Sequence, residues 1–171
     1  MPDCLTQPEA GIIAGCNEMH WRLVAWGAIM LRGGSGPRIA WESDDDQYDR
    51  REWSGADQDA ARALHSLVIQ LPEVRQRLVM QVFYREPCAP YWATFPPVRK
   101  VRVCEDLAIE VNRRIRAYNA QGVGLATTIS SADFDGVRWR AIRMLVHRES
   151  AVPKTQQSVD HAGMGLATPS G

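Results

Sequence analysis

The stretch from Val98 to Tyr118, VRKVRVCEDLAIEVNRRIRAY, constrains the fold more than any other part of the chain. Its apolar residues form two consecutive sets, and each set has the spacing of a buried helix face. The first set is Val101, Cys104, Leu107 and Ala108, and the second is Val111, Ile115 and Tyr118. We interpret the pattern as two short helices with a tight break near Ala108–Glu110.

Basic residues fill the positions between these apolar sets. One face of the helix pair can therefore pack while the other stays positive, as a helix-turn-helix reader of DNA requires. Arginines at the start of the second helix, with Asn112, are placed to contact base edges, and basic residues of the first helix are placed to contact phosphates. The predicted DNA-binding residues are Arg99, Lys100, Arg102, Asn112, Arg113, Arg114 and Arg116. The alternative is a solvated helical hairpin without a ligand.

The rest of the chain also has mainly helical periodicity. Further helices are predicted at about 17–31, 60–70, 72–84 and 134–148, and Asp57 or Asp59 is a candidate N-cap for the second. Alternation from Val137 to Ala141 also permits a strand in the last segment. We predict an all-α fold with one small helical domain at 17–148 and the helix-turn-helix at about 98–121.

Four segments lack a helical pattern. Residues 1–16 are predicted to be an irregular lead-in, and residues 33–55 a long polar loop with spaced aromatic residues. Prolines exclude regular structure across 85–97. Residues 149–171 are too polar to bury a core, which predicts a flexible tail.

Charge is balanced overall but unevenly distributed. The formal net charge is zero. Residues 41–59 hold eight acids against two arginines, a net charge of −6, whereas residues 98–148 have a net charge of +5. These two segments either serve different partners or pair with each other within the fold.

No motif predicts an enzyme or a bound cofactor. The chain lacks a G-x-S-x-G elbow, a phosphate-binding loop and an EF-hand pattern. Cys16 and His20 have the spacing of half a zinc site, and the other interpretation is a buried thiol beside a helical histidine. We expect no catalytic residue, no metal and no cofactor.

The location is predicted to be the cytoplasm. The N-terminus has no basic leader followed by a long apolar run, and no apolar stretch has the length of a membrane span. The four cysteines, at positions 4, 16, 88 and 104, show no paired spacing. We therefore expect reduced thiols and no membrane partner.

Four features in order resemble the phage late-gene antitermination Q family, in its small helical branch. They are the Trp26-Gly27 pair, the helix start Asp57-Gln58-Asp59-Ala60, Leu71-Pro72 leading to Phe83-Tyr84, and the helix-turn-helix. Together they cover about residues 20–122. Ile115 departs from the usual helix-turn-helix spacing by one position, and the proline-rich 85–97 segment is longer than the family pattern. The 134–148 segment and the tail are additional to that pattern.

The resemblance implies a transcription antitermination factor with a sigma-like helix-turn-helix. Such a protein binds double-stranded DNA near a late promoter, engages bacterial RNA polymerase and suppresses pausing and termination. Sigma factor and the region of the nascent RNA exit are further implied partners, and the acidic loop or the N-terminal helix is the implied polymerase-binding surface. The alternatives are a helix-turn-helix repressor or activator, and a protein-interaction module that inhibits a host protein.

Overall fold

The computed structural model of the chain describes residues 7–32 and 53–151, and within these ranges the protein is all-helical, as predicted. Its helices are α1 (Gln7–Trp26), α2 (Gly55–Ile69), α3 (Val74–Arg85), α4 (Pro97–Ala120) and α5 (Ser131–Ala151). A π-helical turn (Gly27–Leu31) continues α1, and a 3-10 helix (Ala89–Thr94) lies between α3 and α4. The predicted polar loop lies outside the described residues except for 53–55, and the predicted tail lies outside them from residue 152 onward.

α5 is the centre of one continuous core. It packs against α1, α3 and α4, while α2 lies against α1. Aromatic rings join these helices, since Phe83 of α3 contacts Phe134 of α5 and Tyr84 contacts Trp26 of α1. All four rings are completely buried, and this burial supplies much of the hydrophobic stabilisation.

The backbone of α3 approaches the end of α1 closely at Gly27. A Cβ built on Gly27 would lie 1.9 Å from the carbonyl oxygen of Tyr84, so this position accepts only glycine without a backbone shift. The π-helical turn begins at this residue. The turn also contacts α2, so three helices meet at the Trp26-Gly27 pair.

The helix ends follow local hydrogen-bonding chemistry. Ser54 caps α2 in a capping box with Asp57, so the prediction of Asp57 or Asp59 as N-cap was wrong by three residues or more. Ser130 accepts a hydrogen bond from the backbone N–H of Asp133 at the start of α5. Gly122 follows α4 in the left-handed conformation, with φ of +73°, and ends that helix as predicted.

The predicted break near Ala108–Glu110 does not exist, because α4 is one continuous helix of 24 residues. Ala108, Ile109 and Glu110 all accept helical geometry, and none removes a backbone donor. The buried positions form one unbroken stripe along the helix: Cys104, Leu107, Ala108, Val111 and Ile115. The offset of Ile115 from helix-turn-helix spacing is thus the ordinary period of a single helix. The helix-turn-helix predicted at 98–121 is not confirmed.

Three other segments differ from the prediction. α1 begins at Gln7, so most of the lead-in assigned to 1–16 is helical, and Pro8 falls in the first turn, where its missing N–H costs no intrahelical bond. The 85–97 segment contains a buried 3-10 helix, because Pro90 also falls in a first turn. The alternating 137–141 segment is helical, not extended.

Candidate nucleic-acid interface

Basic residues near the N-terminus of α4 lie against the aromatic rings that precede it. The Arg99 guanidinium lies 4.0 Å from the centre of the Phe95 ring, and the Lys100 ammonium lies 5.7 Å from that of Trp92. These cation–π contacts hold both side chains to the protein's own surface. Arg102 is exposed and forms no ion pair within the described residues.

Glu110 neutralises part of the second basic cluster of α4. Its carboxylate accepts two hydrogen bonds from Arg113, at 2.9 and 2.7 Å, and one from Arg114 at 2.9 Å. The hydrogen bonds from Arg113, followed by those from Arg114, lower the pKa of Glu110 to about 2. Both guanidinium groups are thus already engaged by one carboxylate. Arg116 is exposed and has no ion-pair partner in the described part of the chain.

Asn112 faces the connection between α4 and α5 instead of solvent. Its amide donates to the carbonyl of Ile129 at 2.9 Å and accepts from the N–H of Ile129 at 2.8 Å. Asn119, two turns further along, forms the same pair of bonds with Ala126. The prediction that Asn112 reads a base is therefore unsupported by its position, because its amide already holds the protein's own backbone.

A second basic surface lies on α5, and we call it the α5 strip: Trp139, Arg140, Arg143 and His147. Trp139, Arg143 and His147 follow one another at four-residue spacing, and Arg140 lies three residues before Arg143, so the four share one side of the helix. All four are exposed, and no carboxylate of the described residues forms an ion pair with either arginine. The two flanking acids are paired with other arginines, Asp135 with Arg138 at 2.9 Å and Glu149 with Arg22 at 2.6 Å. The strip therefore presents two uncompensated positive charges beside an indole ring.

The Trp139 ring also contacts a buried cation. The guanidinium of Arg138, a residue only 1% exposed, lies 4.8 Å from the Trp139 ring centre and 4.4 Å from that of Phe83. It pairs with Asp135 at 2.9 Å and donates to the hydroxyl of Tyr84 at 3.0 Å. Arginine is rarely buried to this extent, and the helical periodicity of the last segment does not predict it. Its partners, Asp135 and Tyr84, compensate for its burial.

His20 completes this buried cluster. The Tyr84 hydroxyl lies 2.8 Å from His20 Nδ1, and because it already accepts from Arg138, it donates to that nitrogen. Burial, reinforced by the charge of Arg138, lowers the pKa of His20 to about 4. Burial also raises the pKa of Tyr84 to about 12. Both groups are neutral near pH 7, so the cluster orders the core without supplying a charged nucleophile.

The three thiols of the described residues have no activating surroundings. Cys16, Cys88 and Cys104 are buried and unpaired. Burial raises the pKa of Cys88 to about 12 and that of Cys104 to about 11, so neither is a thiolate at neutral pH. Within 7–32 and 53–151, no three His, Cys, Asp or Glu residues are placed to hold a metal, and His20 is bonded to Tyr84 instead.

A groove of about 730 Å³ borders the N-terminal half of α4. Its apolar lining comes from Cys88, Pro96, Val98, Val103 and Leu107, and its charged rim from Glu86, Arg99, Arg102 and Asp106. Opposite charges on one rim make the groove a poor match for a polyanion. The groove leads to the outer face of α4, where Val98 is exposed.

The sequence prediction placed all of its DNA-binding residues on α4 and included no residue of α5. The spacing of Trp139, Arg140 and Arg143 with His147, free of any acid at 136–148, was the available signal. The i,i+3 and i,i+4 spacing of Glu110 with Arg113 and Arg114 was a signal for their ion pairs. The amide contacts of Asn112 with Ile129 carried no such signal, because they depend on tertiary structure.

Comparison of the chain with family models, curated proteins and solved structures gave no match. The resemblance to phage antiterminators therefore remains a prediction from the sequence. In the described part of the chain, no helix combines the length and the apolar content needed to cross a bilayer. The fold and its surfaces define an all-helical domain with a basic, tryptophan-bearing strip on α5.

Proposed function

We propose that the protein is a non-enzymatic regulator that binds double-stranded DNA through the α5 strip. The observation that carries the proposal is the pair of exposed arginines, Arg140 and Arg143, which lack an acidic partner beside exposed Trp139. By contrast, three of the side chains predicted to read bases on α4 are engaged by Glu110 or by the 121–130 connection.

The chemistry of the strip fits phosphate contacts. Arg140 and Arg143 are three residues apart, so their guanidinium groups emerge from neighbouring turns of one rigid helix. Guanidinium groups bind phosphate oxygens through two parallel N–H donors, and the Trp139 indole supplies another donor or a stacking surface. Such contacts give affinity and orientation on the duplex without selecting its sequence.

The salt dependence of binding tests this proposal. Fluorescence anisotropy of a labelled duplex, titrated at several salt concentrations between about 50 and 200 mM, gives the number of phosphate contacts. In the double variant Arg140→Gln, Arg143→Gln, the negative slope of log K against log salt should become shallower by about 2, because two phosphate contacts are lost. Affinity at the lowest salt concentration should fall at least about tenfold.

The matched control removes the same charge elsewhere. The double variant Arg62→Gln, Arg85→Gln alters exposed arginines on α2 and α3, and its salt slope should stay within about 0.5 of the wild-type value. Equal losses in both double variants would show that only net charge matters. Wild-type affinity retained by the α5 variant would exclude the α5 strip as the DNA contact.

The single variant Arg113→Ala separates α4 from α5 as the helix that contacts DNA. Its guanidinium donates through Nε and Nη2 to the two carboxylate oxygens of Glu110, so we expect little change in affinity. A loss of about 1–3 kcal/mol that depends on the duplex sequence would instead identify α4 as the reader of bases.

The more specific proposal is that this regulator is a phage-type transcription antitermination factor acting on RNA polymerase in the bacterial cytoplasm. It rests on the sequence resemblance, and the structure supplies one supporting observation. Three of the four features have roles in the fold: Gly27 lies against Tyr84, Leu71 is buried, and Asp57 belongs to the capping box of α2. They act as fold determinants, as features shared within a family often do.

Terminator readthrough with purified bacterial polymerase tests this function. Readthrough should rise when the protein is added to a template that carries its binding element upstream, and it should not rise without that element. DNA binding without any change in readthrough would leave a repressor or activator as the function. Neither binding nor readthrough would overturn both proposals.

A further inference from the structure

The outer face of α4 carries large apolar side chains that no described residue covers. Val98, Val101 and Ile109 are 69%, 56% and 67% exposed. Val98 and Ile109, eleven residues apart, lie on one side of the helix away from its buried stripe, and Val101 lies at the edge of that side. An apolar face of this kind, interrupted by charges, is typical of a protein contact and not of a nucleic-acid contact.

Charged residues separate the two ends of this face. Arg102 lies between Val98 and Ile109, and the acids Glu105 and Asp106 follow one turn later. No ion pair joins Arg102 to either acid, and none of the three residues pairs elsewhere in the described ranges. Within one helix, an ion pair is also weaker when the arginine precedes the acid than when the acid precedes the arginine. These charges are therefore available to a partner.

We propose that this face binds a second copy of the same chain, with the two α4 helices antiparallel. Positions 98, 102, 105 and 109 of this face are self-complementary about an axis between residues 103 and 104, and Val101 falls at the edge, opposite Asp106 of the other copy. That axis places Val98 of each copy opposite Ile109 of the other, and Arg102 of each opposite Glu105 of the other. Two apolar contacts and two ion pairs form at once, as an isologous two-fold interface requires. Asp106 adds negative charge on the same side as Glu105.

The size of the contact predicts a weak dimer. The paired segment extends from residue 98 to 109, about 16 Å of helix, which is short beside the interfaces of stable dimers. The groove beside Val98 provides additional apolar surface for Ile109 of the second copy. We expect concentration-dependent association with a dissociation constant on the order of 10–100 µM. This inference does not depend on DNA binding.

Charge reversal at Arg102 and Glu105 tests the proposed pairing. Sedimentation velocity of the full chain should show a monomer–dimer equilibrium for the wild type. Arg102→Glu alone and Glu105→Arg alone should each weaken self-association at least about tenfold. In a dimer of either variant, positions 102 and 105 carry the same charge, so both pairs across the interface become repulsive. An equimolar mixture of the two variants should dimerise within about threefold of the wild type, since both ion pairs are restored.

Two controls separate the interface from other effects. Arg62→Glu makes the same charge change on α2 and should leave the dissociation constant unchanged. Circular dichroism should show wild-type helix content in every variant, because all altered residues are exposed. A wild-type chain that stays monomeric to about 500 µM would overturn the proposal. So would a dimer that tolerates Arg102→Glu, or a mixture of the two variants that stays monomeric.

Discussion

Among single residues, Gly27 leaves the least freedom for substitution. It lies at the junction of α1 with its π-helical turn, and its Cα faces the carbonyl of Tyr84 directly. In Gly27→Ala the new methyl group would have to displace the backbone of α3, so we expect the free energy of unfolding to fall by at least about 2 kcal/mol. Urea unfolding followed by circular dichroism measures the difference.

Gly136 provides the matched control for Gly27. It is also a helical glycine, but no heavy atom lies within 4 Å of the Cβ that an alanine would add. Gly136→Ala should therefore stabilise the protein, by about 0.5–1 kcal/mol, through the higher helix propensity of alanine. If both variants were destabilised equally, the close approach at Tyr84 would not be the cause.

Arg138 shows why a residue's environment is hard to predict from sequence alone. Helical spacing placed it next to Val137 on the edge of the buried face, where an arginine is usually expected to be exposed. Its burial depends on Asp135, one turn earlier, and on Tyr84, which is 54 residues away. Local spacing suggests the first partner, but only the packing of α3 on α5 provides the second.

At the scale of elements, the apolar periodicity of the sequence predicted the existence and type of the helices well. It predicted less well where they join. A break within α4 and a continuous helix place the same apolar residues on a buried face, so the spacing of Cys104, Val111 and Ile115 did not distinguish them. The absence of glycine and proline between 98 and 120 was the better indicator. By contrast, Gly122 marked the end of α4 correctly.

The connection between α4 and α5 depends on two asparagines. Asn112 and Asn119 lie two turns apart on α4 and hold Ile129 and Ala126 through paired hydrogen bonds. Asn112→Ala leaves the N–H and C=O of Ile129 without these partners, so the free energy of unfolding should fall by about 1–3 kcal/mol. Hydrogen exchange of the Ile129 amide should accelerate more than that of the Ala126 amide, with the reverse order in Asn119→Ala.

The variant Asn112→Ala also distinguishes a structural role of Asn112 from a role in reading DNA bases. If Asn112 contacts a base, Asn112→Ala should lose affinity for particular sequences while stability and amide exchange stay unchanged. The control is Arg116→Ala on the same helix, whose exposed side chain has no described ion pair. Its effect on stability should stay within about 0.5 kcal/mol.

At the scale of the whole molecule, the two longest described helices, α4 and α5, present different chemistry to solvent. The outer face of α4 mixes valine and isoleucine with charges of both signs, which suits a protein surface of matching pattern. The α5 strip carries positive charge alone, which suits a polyanion. The formal net charge of zero for the whole chain does not reveal this difference between the two surfaces.

The stability of the whole molecule should depend on pH through His20. The pKa of His20 is lowered to about 4 in the folded protein, from an ordinary value of 6.5, mainly by burial. Between these two values the unfolded chain therefore binds up to about one more proton than the folded chain. The stabilisation is complete above about pH 6.5 and is lost as the pH falls towards 4.

In His20→Gln, which keeps a neutral side chain near Tyr84, this part of the pH dependence should disappear. Urea unfolding of both proteins at about pH 7, 6 and 5 measures the effect, and subtraction removes the contribution of the carboxylates, including Glu110. Parallel pH profiles for the two proteins would show that His20 is not held neutral by the core.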